Sequence, residues 1–267
     1  MKIVILTGSE IRHQYFRMKI ASDSHISVLA SYCEGAEKSL QNRVLNSEDS
    51  SPLEIQHVQA RFQAEKDFFS DYILSSDDKS NPKSLGKGEI NEPNIVNEII
   101  KLKPDLLVCY GSSLIKSDLL QEFKNNFLNV HLGLSPYYRG SGTNVWPLIN
   151  NEPDMIGATF MHLDAGIDTG EIIHQIRADL FVGDSPHSIG NRLICKMTTT
   201  YAEIINKFRE LENSKQPTSE GKLYYRNDFG ADSCRKLYQN LEKGIIENYL
   251  NSNKKLPYIV ENQGLLK

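Results

Sequence analysis

Three polar side chains stand where chemistry could be done. Asn129 and His131 are two residues apart in Phe127-Leu128-Asn129-Val130-His131-Leu132, and Asp168 lies in Gly166-Ile167-Asp168-Thr169-Gly170. In an extended strand alternate side chains share a face, so Asn129 and His131 point the same way. An amide beside an imidazole at a strand end makes a short row of hydrogen-bond donors. Such a row suits an oxygen that gains negative charge during a reaction. A carboxylate near the histidine favours the imidazolium and orients the ring. The glycines around Asp168 allow a tight turn and close approach to a ligand. Plainer readings stand beside this one: His131 as a satisfied core histidine, Asp168 as a turn former. A metal site of His131, His162 and Asp168 is a third. An asparagine beside the histidine is a poor ligand and no tight His/Cys cluster accompanies it, so no metal is expected.

The elements that must position these groups read as a parallel α/β sheet. Residues 2–6 form a β-branched apolar run, a buried strand that ends at Thr7-Gly8-Ser9 and feeds a helix over 11–21. A strand, a glycine turn and a helix together resemble a nucleotide-binding start, with one glycine rather than a Gly-x-Gly-x-x-Gly series. Gly8, Ser9, Arg12 and His13 lie where a helix N-terminus could meet a phosphate; Arg12 and His13 as solvated first-turn residues is the alternative. A second strand follows at 26–30, then a polar loop over 34–52 and a helix over 52–74 whose aromatic stripe reads as core. Residues 75–93 read as an exposed loop and 94–102 as a helix. Pro104-Asp105 turns into a buried strand ending at Gly111, the close of a βαβ unit. The loop Gly111-Ser112-Ser113-Leu114-Ile115 leaves that strand's C-terminal end, the edge where open parallel sheets bind ligands. A short helix over 117–124 leads back to the Asn129 strand, and Pro136 and Gly140 then break regular structure. A loop over 138–142, a helix over 143–150 with Trp146 inward, and strands over 156–163 and 171–178 come next. His162 alternates off the face that Met161 takes, a structural or solvated position. An amphipathic helix over 185–211 opens at Ser185-Pro186. The expected division is a main domain over 1–212 and a short, partly helical C-terminal extension over 213–267. The extension has a polar linker at 214–222, a Tyr224-Tyr225 pair and a helix over 233–251, and can fold back over the main domain.

Composition narrows the class. The chain has 267 residues, 39% apolar and 24% charged, which is ordinary globular usage. A net charge of -4 with a pI near 6.0 argues against a general nucleic-acid binder. Cys33, Cys109, Cys195 and Cys234 form no Cys-x-x-Cys pair and read as free thiols of a reducing compartment. No run is long enough for a signal peptide or a membrane span, so a cytoplasmic protein with no membrane association is expected.

The combination Asn129-Val130-His131, Gly133-Leu134-Ser135-Pro136, Arg139-Gly140 and Ile167-Asp168-Thr169-Gly170 carries a resemblance. In order and spacing, residues 104–173 resemble the folate-dependent formyltransferases, which act on glycinamide ribonucleotide, methionyl-tRNA or amino sugars. Trp146-Pro147-Leu148-Ile149-Asn150 continues the match. Gly133 and Ser135 depart from that family's usual Ser-Leu-Leu-Pro turn. The resemblance implies a Rossmann-like, mostly parallel sheet flanked by helices. It also implies transfer of a formyl group from N10-formyltetrahydrofolate, as cosubstrate, to a primary amine, with no metal and no covalent enzyme intermediate. By the same resemblance, Asn129 and a protonated His131 donate to the oxyanion, and Asp168 holds His131 charged. Ser112, Ser113, Leu114 and Ile115, the turn Gly133, Leu134, Ser135 and Pro136, and the Asp164 to Asp168 loop meet the folate. The expected acceptor is a small-molecule amine, most simply a nucleotide-linked amino sugar of surface polysaccharide synthesis, with no nucleic-acid partner and a homodimer possible. The expectation rests on the missing basic C-terminal domain, a sparse phosphate loop and a chain that starts directly in the catalytic domain. Glycinamide ribonucleotide, an amino-acid amine, water as acceptor, and a folate-binding module without catalysis stay open.

Overall fold

The apolar run near the N-terminus is a strand buried on both faces. Strand β1 (Lys2–Gly8) sends Ile3 and Ile5 into one core and Val4 and Leu6 into another, all four wholly excluded from solvent. Burial on both faces is what an unbroken β-branched run dictates in a sheet covered by helices on each side. The structure, a computed structural model, describes residues 1–217 and 221–265. In chain order β1 is followed by α1 (Ile11–Ala21), β2 (Ser27–Glu34), α2 (Leu40–Leu45), α3 (Pro52–Ser75) and β3 (Pro82–Leu85). Then come α4 (Pro93–Leu102), β4 (Leu106–Tyr110), α5 (Ser117–Glu122), β5 (Phe127–His131), β6 (Tyr138–Gly140) and α6 (Trp146–Ile149). The remainder is β7 (Gly157–His162), β8 (Ile172–Arg177), α7 (Pro186–Lys207), β9 (Lys222–Tyr224), α8 (Ala231–Glu242) and α9 (Ile245–Leu250).

The main sheet has the order β3-β2-β1-β4-β5-β7-β8. Its first five strands are parallel and β7 runs antiparallel to both neighbours. This is the expected Rossmann-like, mostly parallel sheet. Strand order reverses between β1 and β4, so the ends of these two strands, Gly8 and Gly111, flank the crevice where such sheets hold ligands. Helices α1, α3 and α7 cover one face and α4 and α5 the other. Ser51-Pro52 and Ser185-Pro186 start α3 and α7 alike, each with a serine side chain capping a backbone N–H and a proline in the first turn.

Several expected boundaries move. Strand β2 runs on to Glu34, and α2, capped by Ser39, lies inside the stretch read as loop. The exposed loop at 75–93 contains edge strand β3, whose Pro82, Lys83 and Ser84 face solvent and give no apolar signal. The aromatic stripe of α3 is only partly core: Phe69 is buried, but Phe62 and Phe68 are exposed. The helix at 143–150 shrinks to α6, with Trp146 packed inward as expected. Helix α7 ends at Lys207 and a 3-10 turn follows. The helix over 233–251 is two, divided at Gly244. The loop at 138–142 is in part strand β6, which pairs in parallel with β9. Linker residues 218–220 lie outside the described residues. Ser214 bridges to Ile172, and Val260 exchanges hydrogen bonds with Gln175, so later segments cover the free edge of β8. Among the described residues no helix is long and apolar enough to cross a membrane.

Neutral histidines are sealed between the covering helices. The rings of His57 of α3 and His187 of α7 lie 4.9 Å apart, tilted by 52°, and His57 Nδ1 lies 3.1 Å from the Tyr238 hydroxyl of α8. Burial, helped by Arg61, holds His57 at about 3 and His187 at about 4. Burial lowers His13, His162 and His174 as well. In the unfolded chain these groups take protons near pH 6.5. The unfolded state therefore binds more protons as pH drops from about 6.5 toward 4, and stability is lost over that window. Urea midpoints should fall between pH 7 and pH 5; equal midpoints would remove these histidines from the pH balance.

Candidate active site

Strand β5 is held on both sides, by β4 in parallel and β7 antiparallel, which gives its polar residues a rigid mount. Leu128 and Val130 enter the core. Asn129 is half-buried and its carboxamide makes no hydrogen bond among the described residues. His131, at the strand end, is buried, with both ring nitrogens facing acceptors. Nδ1 lies 3.2 Å from Asp168 Oδ2. Nε2 lies 3.0 Å from the Tyr138 carbonyl and 3.2 Å from Thr143 Oγ1. A carbonyl only accepts, so Nε2 carries a proton and donates. Thr143 gives its own proton to the Leu132 carbonyl at 2.7 Å and so accepts from the ring.

The ring owes this orientation to Gly133. A Cβ there would lie 2.4 Å from His131 Nε2 and 2.8 Å from the Tyr138 carbonyl oxygen. The departure from the serine usual at this position thus opens the space the imidazole fills. The rest of the turn is buried: Leu134, Ser135 and Pro136 are inside the protein. Thr159 Oγ1 donates to the Gly133 carbonyl at 2.7 Å and accepts Ser135 N–H at 3.0 Å, while Gln175 holds the Ser135 carbonyl at 2.7 Å. The Leu134, Ser135 and Pro136 side chains are therefore held inside the protein next to the end of β5.

Asp168 sits in the left-handed region, with φ 52°. Its Oδ2 accepts the Gly140 N–H at 2.9 Å as well as facing His131. Two further residues fix the loop. Asp164, exposed, accepts from Gly166 N–H at 3.0 Å and the Thr169 hydroxyl at 2.8 Å. Gln216 Nε2 donates to the Asp168 carbonyl at 2.8 Å and the Gly170 carbonyl at 2.9 Å. Gly140 is placed by β9: its φ is 91°, and a Cβ would meet the Tyr224 carbonyl oxygen at 2.1 Å. Tyr224 also stacks on Trp146 at 4.2 Å. Sequence reading missed Gln216 and β9, because a lone glutamine and a three-residue strand carry no pattern.

The loop after β4 has half-buried Ser112, Ser113 and Ile115 and a Leu114 side chain that is 73% exposed. Glu34, wholly buried at the end of β2, accepts the Ser113 and Gly88 N–H groups and the Lys87 ammonium. Asn91 donates to the Leu114 carbonyl at 3.0 Å and accepts Lys116 N–H at 2.7 Å. The signal for Glu34 was available: a carboxylate ends a run that is otherwise strand-like. Near β1, Gly8 is buried against His13 and Ser9 is exposed. Arg12 is paired twice, to Glu65 at 2.8 and 3.1 Å and to Glu10 at 2.6 Å. Burial pushes Glu10 up, but Arg12, His13 and Arg61 outweigh it and hold it at about 2. Glu10, Arg12, Arg61 and Glu65, with Ser9 and Phe62, line a cleft of about 240 Å³. Arg12 is thus held by two carboxylates at the place where a Gly8, Ser9 and Arg12 phosphate site is expected. His162 lies away from His131, opposite Leu128, while Thr159 stands opposite His131; His162 packs on Phe208. Among the described residues no three His, Cys, Asp or Glu side chains converge as metal ligands would.

A sequence model of the formyl transferase family matches residues 1–205. The chain belongs to that family. A methionyl-tRNA formyltransferase of Alkaliphilus oremlandii is 36% identical over 107 residues, 39% of this chain and 34% of that protein. The chain thus spans well under two thirds of the length of such relatives. Among solved formyltransferases, PseJ from Anoxybacillus kamchatkensis, in complex with UDP-4,6-dideoxy-4-formamido-L-AltNAc and tetrahydrofolate, superposes with a TM-score of 0.52 at 18% identity. The match covers 89% of this chain and 97% of that one. A phosphoribosylglycinamide formyltransferase from Anaplasma phagocytophilum gives 0.56 at 13% identity, covering 84% and 98%. At these identities the likeness is one of fold. The Asn129, His131 and Asp168 segments all fall within the formyl transferase region of this chain.

Two substitutions test how the formyl transferase site is held. Gly133→Ala forces the His131 ring or the Tyr138 carbonyl to shift; a stability loss of about 1–3 kcal/mol and a displaced His131 ring resonance are expected. Gln216→Met keeps the shape and removes two donors. It should lower stability by about 1–2 kcal/mol and speed amide exchange across residues 164–170. Unchanged exchange there would show that Gln216 does not hold the loop.

Proposed function

We propose that this chain transfers a formyl group from N10-formyltetrahydrofolate to a primary amine, that of a nucleotide-linked amino sugar made for surface polysaccharide. The observation that carries the reading is one carboxylate oxygen, Asp168 Oδ2, shared by the Gly140 N–H and His131, beside a free Asn129 carboxamide on the same strand face. Membership of the formyl transferase family supports formyl transfer. PseJ, with a nucleotide sugar and tetrahydrofolate in its complex, supports the choice of acceptor and cosubstrate.

In this reading the neutral amine attacks the formyl carbon and its carbonyl oxygen becomes an oxyanion. Asn129 Nδ2 donates to that oxygen. His131 Nε2 donates to the Tyr138 carbonyl and Nδ1 faces Asp168, so the ring orients Asp168 rather than serving as a second direct donor. Asp168 Oδ1, which has no hydrogen bond among the described residues, accepts the proton that the amine loses. That proton passes to N10 as the carbon–N10 bond breaks, leaving tetrahydrofolate and the formamide. Ser112, Ser113, Leu114 and Ile115 border the folate, with the exposed Leu114 side chain against the pterin and the Asp164 to Asp168 loop at its polar edge.

A panel of amino-sugar nucleotides, glycinamide ribonucleotide and charged tRNA, assayed for released tetrahydrofolate, tests the acceptor. Release that no amine accelerates would sink the transferase reading; formate without amine would make water the acceptor. Asn129→Ala, His131→Ala and Asp168→Asn are each expected to cut turnover by about 10²–10³ with the fold intact. Near-normal turnover in the Asp168 variant would remove it as the proton acceptor.

A further inference from the structure

Arg12, Arg17, Arg43, Arg61, Arg177 and Arg192 each hold a carboxylate or a carbonyl. Arg139 does not. It is half-buried, its Nε is closed off from solvent without a partner, and its guanidinium makes no hydrogen bond or ion pair among the described residues. A guanidinium carries five donors and no acceptor, and burying such donors unpaired is destabilising. An unsatisfied group of this kind calls for an explanation, and a ligand acceptor is one.

Its place in the chain gives the explanation. The residue before it, Tyr138, takes the His131 proton on its carbonyl; the residue after it, Gly140, holds Asp168 with its N–H. Arg139 therefore sits between the two backbone groups that fix the pair. The backbone there is a strand, β6, registered against Lys222, Leu223 and Tyr224 of β9. Tyr138 turns into the core, so by strand alternation Arg139 leaves on the opposite face. Asp168 Oδ2 is taken by Gly140 and His131, Glu152 is taken by the Tyr138 hydroxyl and Lys222, and neither carboxylate pairs with Arg139. Arg12, near the end of β1, is engaged by Glu65 and Glu10.

We propose that Arg139 is the anion-recognising group of this site, gripping a phosphate or carboxylate oxyanion of a bound substrate beside the Asp168–His131 pair. The planar fork of arginine suits either oxyanion. The inference rests on the proposed formyl transfer, which offers two sources of that charge: the diphosphate of a nucleotide-linked acceptor and the glutamate carboxylates of the folate.

Calorimetric titration of the full chain separates the sources with three probes: inorganic pyrophosphate, folinic acid, and 5-formyltetrahydropteroate, which keeps the ring system without the glutamate. If phosphate is the ligand, Arg139→Gln weakens pyrophosphate about tenfold or more and leaves folinic acid unchanged. If the carboxylate is, the same variant weakens folinic acid and erases its advantage over the pteroate. Arg139→Lys, which keeps the charge without the fork, should show part of the same loss and serves alone if the glutamine variant does not fold. Wild-type-like binding of both pyrophosphate and folinic acid by the variants overturns the proposal, as does a wild-type protein that neither binds pyrophosphate nor prefers folinic acid to the pteroate. Formyl transfer is tested through turnover of the wild-type chain with the amine panel, a readout separate from these affinities, so failure of one idea is distinguishable from failure of the other.

Discussion

Asp168 Oδ2 accepts the Gly140 N–H at 2.9 Å and faces His131 Nδ1 at 3.2 Å, and through these two contacts it ties together three parts of the chain. One is the rigid strand β5, one the strap β6, and one the loop on which Asp168 itself stands. A non-glycine residue at φ 52° persists only where its surroundings over-determine it. Here they do: the carboxylate is held from one side, and Gln216 holds the carbonyls of Asp168 and Gly170 from the other. The strap is fixed in turn by β9 and by the stack of Tyr224 on Trp146. Residues beyond the stretch that matches the family model, which ends at 205, thus set the geometry of residues inside it.

Much of the architecture was legible because the relevant forces are local. The run Ile3-Val4-Ile5-Leu6 specifies a strand buried on both faces whatever surrounds it, and Ser51-Pro52 and Ser185-Pro186 announce their helices by capping chemistry. The alternation of Asn129 and His131 was equally plain. What stayed hidden depends on partners distant in sequence. Arg12 looks like a phosphate ligand until Glu65, 53 residues later, is seen to take its guanidinium. Gln216 lies 48 residues beyond the carbonyl it holds, and β9 gains its meaning only from β6. Edge strand β3 exposes three of its four residues and so carries no hydrophobic period at all.

The division of labour at the site follows from where each group is mounted. Asn129 stands on a strand with neighbours on both sides, a mount that moves little and suits a donor that must already be in place when charge develops. Asp168 stands on a loop whose position is set by side-chain hydrogen bonds rather than by a strand ladder. Such bonds each contribute about 1 kcal/mol net and can be remade, so Asp168 is the more adjustable of the two. His131 joins them, since its ring touches both the end of β5 and the Asp168 carboxylate.

Gly133 shows how one absent side chain can reassign a role. With a Cβ at that position the imidazole could not occupy the space against the Tyr138 carbonyl, because the two would lie 2.4 Å apart. Without it, Nε2 turns inward to the backbone and to Thr143, and the ring ceases to be an outward-facing donor. In the proposed formyl transfer, the direct hydrogen bond to the developing oxyanion then falls to Asn129. The turn after β5, rather than the histidine itself, therefore decides which way the ring nitrogens face.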